Sequence, residues 1–204
     1  MNADAASART RFWLLWLLLL GARAALAATL PAFGDEAFYW WESRHPAWAY
    51  SDLPGLTAWL IRLGTEVGGH TPLGLRWPFL LLGAACPLLV VRIARRWSGA
   101  AIGWRAGCWA QLLPMMASLG VLALPDVPLL LAGLLCFDAL AALQQRVSAG
   151  AAAVLAAGLV MGALAHYRFV LLLGAGAVWI LLDPRGRALL RRPPVLAALL
   201  AGAL

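Results

Sequence analysis

Apolar runs of helix-spanning length recur along this chain, and short clusters of arginine separate them. About 20 apolar residues in a helix match the hydrocarbon thickness of a bilayer. The pattern therefore restricts the chain to helices that cross a membrane or lie on one. Composition agrees: 63% of residues are hydrophobic, against about 45–50% in soluble domains. The expected fold class is all-α, a polytopic transmembrane helical bundle with amphipathic interfacial helices in its first outer loop.

The apolar runs fall at about 12–30, 73–91, 102–124, 127–143, 150–165 and 168–182, and a further one begins at 195–204. Residues 31–72 form the outer loop. The last run is too short to span, so residues 1–204 read as the N-terminal part of a multi-pass domain. Residues 12–30 follow Arg9 and Arg11 and end in A-L-A-A, features shared with a secretory signal. An uncleaved anchor is the preferred reading, because the loop that follows must stay beside the later spans.

The net charge is +7 and every basic residue is an arginine. The arginines interrupt apolar runs instead of covering one face, which argues against a nucleic-acid partner. Arg9 and Arg11, the Arg92–Arg105 cluster, Arg146 and the Arg185–Arg192 cluster all fall on one side if the N-terminus is cytoplasmic. That arrangement implies a multi-pass protein of the inner membrane, with residues 31–72 and Asp126 on the periplasmic side. Cys86, Cys108 and Cys136 lie in apolar runs and imply no disulfide framework. His45, His70 and His166 are far apart, without metal-ligand spacing.

One stretch, Gly34 to Leu56, is both polar and aromatic, and it holds four of the nine carboxylates: Asp35, Glu36, Glu42 and Asp52. On a helix Asp35, Tyr39 and Glu42 share one face, while Glu36, Trp40 and Ser43 share the next. A catalytic carboxylate on a short interfacial helix fits this pattern. So does an ordinary loop whose Trp and Tyr belong to an aromatic belt. Beyond it, Leu56, Trp59, Leu60, Leu63 and Val67 form an apolar stripe, opposite an Arg62–Glu66 pair. This helix is expected to lie in the interface plane.

Two full spans need about 40 residues, yet the hairpin from Ala149 to Leu182 holds 34. Its turn, His166-Tyr167-Arg168, is expected below the outer surface, where charge faces a cavity or a partner. Arg168 fits either an anionic lipid phosphate or simple snorkelling. Asp52 and Asp126 each precede a helix with proline in its first turn, so N-capping accounts for both as well as function does.

With these residues in view, the chain resembles polytopic glycosyltransferases of the GT-C type that use polyprenyl-phosphate sugars, among them protein O-mannosyltransferases and aminoarabinose–lipid A transferases. The resemblance runs from residue 12 to 182. Its motifs are Asp35-Glu36 after the first span, Y-S-D-L-P-G at 50–55, A-W-L-I-R-L at 58–63, Arg76, Pro125 to Leu130, and A-H-Y at 165–167. Leu53 and Gly55 stand where many relatives carry His and Pro.

The resemblance implies an inverting transferase. It would move a sugar from a polyprenyl-phosphate carrier to a lipid, glycan or protein acceptor at the bilayer's periplasmic side. Asp35 would be the catalytic base. Glu36, Tyr50, Asp52, Asp126, His166, Tyr167 and Arg168 would bind substrate. No cofactor is certain, and a divalent metal stays open. Two rival readings remain: a lipid-linked sugar transporter or flippase component without chemistry, and an inactive truncated remnant. Transporters place binding groups near the midplane, whereas these acids cluster in an outer loop.

Overall fold

The computed structural model describes residues 3–202. Ten helices appear among them, with no strand beyond an isolated antiparallel bridge between Ala49 and Pro54. Three helices are long and apolar enough to cross a membrane: α1 (Ala3–Thr29), α4 (Pro72–Leu112) and α6 (Asp126–Gln145). The chain is thus all-α and built as a polytopic helical membrane protein.

Helix α4 has 41 residues. At about 1.5 Å per residue, a straight helix of that length would reach roughly 60 Å, twice a bilayer core. It does not run straight. Gly99 takes φ 82° and ψ 176°, a conformation that L side chains rarely adopt, and the chain reverses there. Gly103 then meets Arg95, and Gly107 packs against Val91 and Phe12. The expected second and third spans are therefore the two limbs of one helical hairpin. Helix α1 lies along it, with Trp16 Nε1 donating to Ala84 O at 2.8 Å.

The third crossing, expected as one run over about 102–124, is broken. Its helix stops at Leu112, and Leu113 turns extended (φ −66°, ψ 134°) before Pro114. Proline disfavours helical backbone in the residue before it and has no N–H to give. The short α5 (Pro114–Ser118) follows, and residues 119–125 run irregularly beside α4. Gly120, at φ 88°, lies against Phe79 O, where a Cβ would collide. Broken backbone inside a bilayer must find partners within the protein. Two buried charged side chains from the N-terminal region supply them. Arg23 of α1 donates its Nε to Ala117 O at 2.9 Å. Glu36 accepts from Ala123 N at 2.7 Å.

Between the first two crossings lie α2 (Gly34–Ser43) and α3 (Leu56–Gly68). Helix α3 buries its apolar stripe only in part: Leu56, Trp59 and Leu60 are half-buried. Thr57, Ala58, Ile61, Gly64 and Thr65 face inward, while Leu63 and Val67 are exposed. Gly64 and Gly74 let α3 close on α4 at backbone contact, the small-residue packing that membrane helices favour.

Helix α7 (Ala149–Ala165) packs on α6 through Gly158, which lies against Cys136 and Ala132. Helix α8 (Phe169–Leu182) returns from it. At about 1.5 Å per residue neither reaches 30 Å. Helices α9 (Pro184–Leu189) and α10 (Pro193–Ala201) close the lower end, adding Leu189, Val195 and Ala198 to the α6–α7 core.

Gly120→Ala should lower the melting temperature of the detergent-solubilised protein. It combines an αL penalty of about 1–2 kcal/mol with a collision at Phe79. Gly150→Ala, at a helix start with open space, should leave melting unchanged.

Candidate active site

Phe33 is the N-cap of α2, and its backbone N–H donates to Glu36 Oε2 at 2.9 Å. That contact fixes the phase of the helix. Glu36 points inward and is fully buried, as is Arg76 of α4. Their pairing is bidentate: Nε to Oε1 at 2.8 Å and Nη2 to Oε2 at 2.6 Å. Arg76 spends its other donors on Ala27 O, Leu30 O and Pro31 O, each at 2.9 Å. One ion pair thereby ties the end of α1, the start of α2, α4 and the irregular segment before α6. Burial alone would raise the Glu36 carboxyl. Arg76 and the N–H groups of Phe33 and Ala123 outweigh it and hold the group below the usual carboxylate range.

Successive helical residues are about 100° apart, so Asp35 faces the other way and is exposed. Tyr39 lies one turn on, half-buried, with its ring against the core around Ile61 and Phe79. Burial raises its phenol pKa, and Asp35, Glu42, Asp126 and Asp52 are all close enough to raise it further. Glu42 is itself buried, and burial with Asp52 nearby raises its carboxyl too. Tyr39 and Glu42 on this sequence face are thus within electrostatic reach of Asp52, and Tyr39 of Asp126 as well. Tyr39 and Glu42 had no role assigned from sequence, although their three- and four-residue spacing from Asp35 was the signal.

Arg168 Nη1 lies 3.5 Å from Asp126 Oδ1, both groups partly exposed. His166 caps the end of α7 and accepts from Arg168 N at 3.1 Å. Tyr167 is exposed. The site so assembled is an open acidic rim with one arginine across it.

Several assignments change in this light. Glu36, expected to bind substrate, has both oxygens engaged in the core and no surface to offer. Tyr50 donates to His45 O at 3.0 Å and accepts from Ala47 N at 3.2 Å, so its hydroxyl closes the 45–55 loop. Neither Asp52 nor Asp126 caps a helix. The cap positions are Gly55 and Pro125, and no side chain bonds there. Among the described residues, no group of three or more His, Cys, Asp or Glu could hold a metal ion.

Sequence reasoning also passed over Asp138, which is fully buried in α6. Arg96 Nε donates to its Oδ1 at 2.9 Å. Arg92 Nε lies 2.9 Å from Oδ2, as a charge contact outside hydrogen-bond alignment. The sign in the sequence was an acid within an apolar run, with two arginines one turn apart on an earlier helix. This pair holds the arginine-rich end together as Glu36–Arg76 holds the acidic end.

A family model described as dolichyl-phosphate-mannose-protein mannosyltransferase matches residues 52–204. The chain is 32% identical over 163 residues to a curated protein named lipid A galacturonosyltransferase RgtD, from Rhizobium johnstonii. That match covers 78% of this chain and 34% of the relative. The chain thus spans about a third of the length of the curated relative it matches. No solved structure matches.

Removing one partner of a buried ion pair strands the other, at a cost of about 3–5 kcal/mol. Arg76→Gln should therefore lower the melting temperature sharply, while Arg62→Gln, at an exposed pair, should change stability by less than about 1 kcal/mol. The pH dependence has a definite sign. A depressed Glu36 pKa stabilises the fold above the ordinary glutamate value of about 4.3. That stabilisation is lost as pH falls through the lower folded value. Thermal melts against pH should show the loss on the acid side.

Proposed function

Because the chain belongs to the dolichyl-phosphate-mannose-protein mannosyltransferase family, a GT-C glycosyltransferase family, we propose that it carries the base of a sugar-transfer reaction. The donor would be a sugar on a polyprenyl-phosphate carrier. The acceptor would be a lipid, glycan or protein at the periplasmic face, with the N-terminus cytoplasmic and the arginine clusters inside. The relative's printed name points towards lipid A as the acceptor class and galacturonic acid as the sugar.

One observation carries this reading. Of two adjacent acids, Glu36 is consumed by the core and Asp35 is exposed at the acidic rim. A base must lie within hydrogen-bond reach of the proton it removes, and an exposed carboxylate on a fixed helix can be approached. In the proposed step Asp35 takes the proton of the acceptor hydroxyl. The hydroxyl oxygen bonds to the anomeric carbon from the face opposite the carrier. The anomeric carbon–oxygen bond to phosphate breaks, and the carrier phosphate leaves with the electron pair. Inversion follows from that geometry.

Arg168 would hold the carrier phosphate, since guanidinium matches phosphate oxygens in a bidentate manner. Asp126 would orient Arg168 until substrate arrives. Asp52 would line the sugar site. Tyr39, whose phenol burial holds protonated, would donate a hydrogen bond to it, and Glu42 would line the same face. His166 and Tyr167 would shape the entrance beside Arg168.

In the full-length chain, Asp35→Asn should lower transfer about 10²–10⁴-fold and leave the melting temperature unchanged. Arg168→Gln should chiefly raise KM for the lipid-linked donor. Normal transfer by Asp35→Asn would remove the assignment.

A further inference from the structure

At the arginine-rich end, two hollows join. A trough of about 420 Å³ runs between α6 and α8, with Gly133, Phe137, Leu172 and Gly176 among its walls. A second hollow of about 500 Å³ lies beyond its mouth and carries Arg146, Arg185 and Arg192. Trp97, Ala141, Gln144 and Arg185 line both, so they form one continuous cleft.

Most arginines of this protein are committed. Arg23, Arg62, Arg76, Arg92, Arg96, Arg105, Arg168 and Arg187 bond to acids or carbonyls. Arg44 and Arg95 lie on tryptophan rings. The guanidinium groups of Arg146, Arg185 and Arg192 have no such partner among the described residues. The nearest acid in the cleft, Asp183, is already engaged. Its Oδ1 accepts from Arg185 N at 2.8 Å and its Oδ2 from Trp179 Nε1 at 3.2 Å.

We infer that this cleft is a binding site for an anionic glycerophospholipid of the arginine-side leaflet. The three arginines take its phosphate headgroup and the α6–α8 trough takes an acyl chain. The chemistry on each side matches. Three uncommitted guanidinium groups complement a phosphodiester, and basic pockets between membrane helices suit anionic headgroups. The trough is lined mostly by apolar residues, with Gln144, Asp183 and Arg185 as its polar ones, and Trp97 stands at the junction, where an indole prefers the headgroup level. The site is remote from the acidic rim at the other end of the bundle, and its ligand is a bound structural lipid, distinct from donor and acceptor.

The test uses the purified full-length chain in neutral detergent. Equal amounts of phosphatidylglycerol and phosphatidylcholine with the same acyl chains are added, and retained lipid is read by native mass spectrometry. The site predicts preferential retention of phosphatidylglycerol. The triple variant Arg146→Gln/Arg185→Gln/Arg192→Gln should lose it about tenfold or more, because basic side chains near the membrane surface attract anionic headgroups. A control with the same charge change, Arg9→Gln/Arg11→Gln/Arg191→Gln, should retain it within about twofold. Gly176→Leu, a position where a Cβ meets nothing within 4 Å, should fill the trough and weaken retention without altering charge. Equal losses in the two triple variants would overturn the proposal, because the effect would then be diffuse charge. Equal retention of the two lipids would overturn it as well. So would retention of neither, which would mean that another segment of the protein fills the cleft.

Discussion

The ion pair between Glu36 and Arg76 decides what the acidic end of this protein can be. A carboxylate and a guanidinium in a fully buried site are tolerable only when every donor and acceptor is met. Here they are. Arg76 reaches three carbonyls at the end of α1 and beyond it, and Glu36 takes two backbone N–H groups besides the guanidinium. The pair therefore does more than join two helices. It caps the start of α2, collects the carbonyls left at the end of α1, and meets one N–H of the broken third crossing.

The direction of α2 follows from that anchor. Once Glu36 is turned inward, the helical period turns Asp35, Tyr39 and Glu42 towards Asp52 and Asp126. The gathering of like charges at one rim is unfavourable by itself. Burial raises the pKa of Tyr39 and Glu42, and the neighbouring acids add to the rise. The buried Asp138 with Arg92 and Arg96 shows the contrast. It too is an acid within apolar surroundings, but its charge is neutralised in place.

Much of the fold was legible in the sequence because a bilayer leaves few choices. Apolar runs, arginine punctuation and the polar stretch at 34–56 gave the fold class, the helices and the approximate position of the acids. Three things were not legible, each for a physical reason. Which of two adjacent acids faces inward depends on helix phase, and Arg76, the partner that fixes it, lies 40 residues away. The break at Leu113-Pro114 was written in the sequence but hidden within an apolar run, since hydropathy does not register a missing N–H. The protein-facing side of α3 was hidden because small residues, Ala58, Gly64 and Thr65, make its helix contacts, and hydropathy does not single them out.

Carboxyl footprinting reads the central division between the two neighbouring acids directly. The folded protein in neutral detergent is treated with a water-soluble carbodiimide and an amine, and labelled residues are located by mass spectrometry. The structure predicts rapid labelling of Asp35 and Asp52, with Glu36 protected until the protein unfolds. Labelling of Glu36 at the rate of Asp35 in the folded protein would contradict the buried ion pair, and with it the account of how the acidic rim is built.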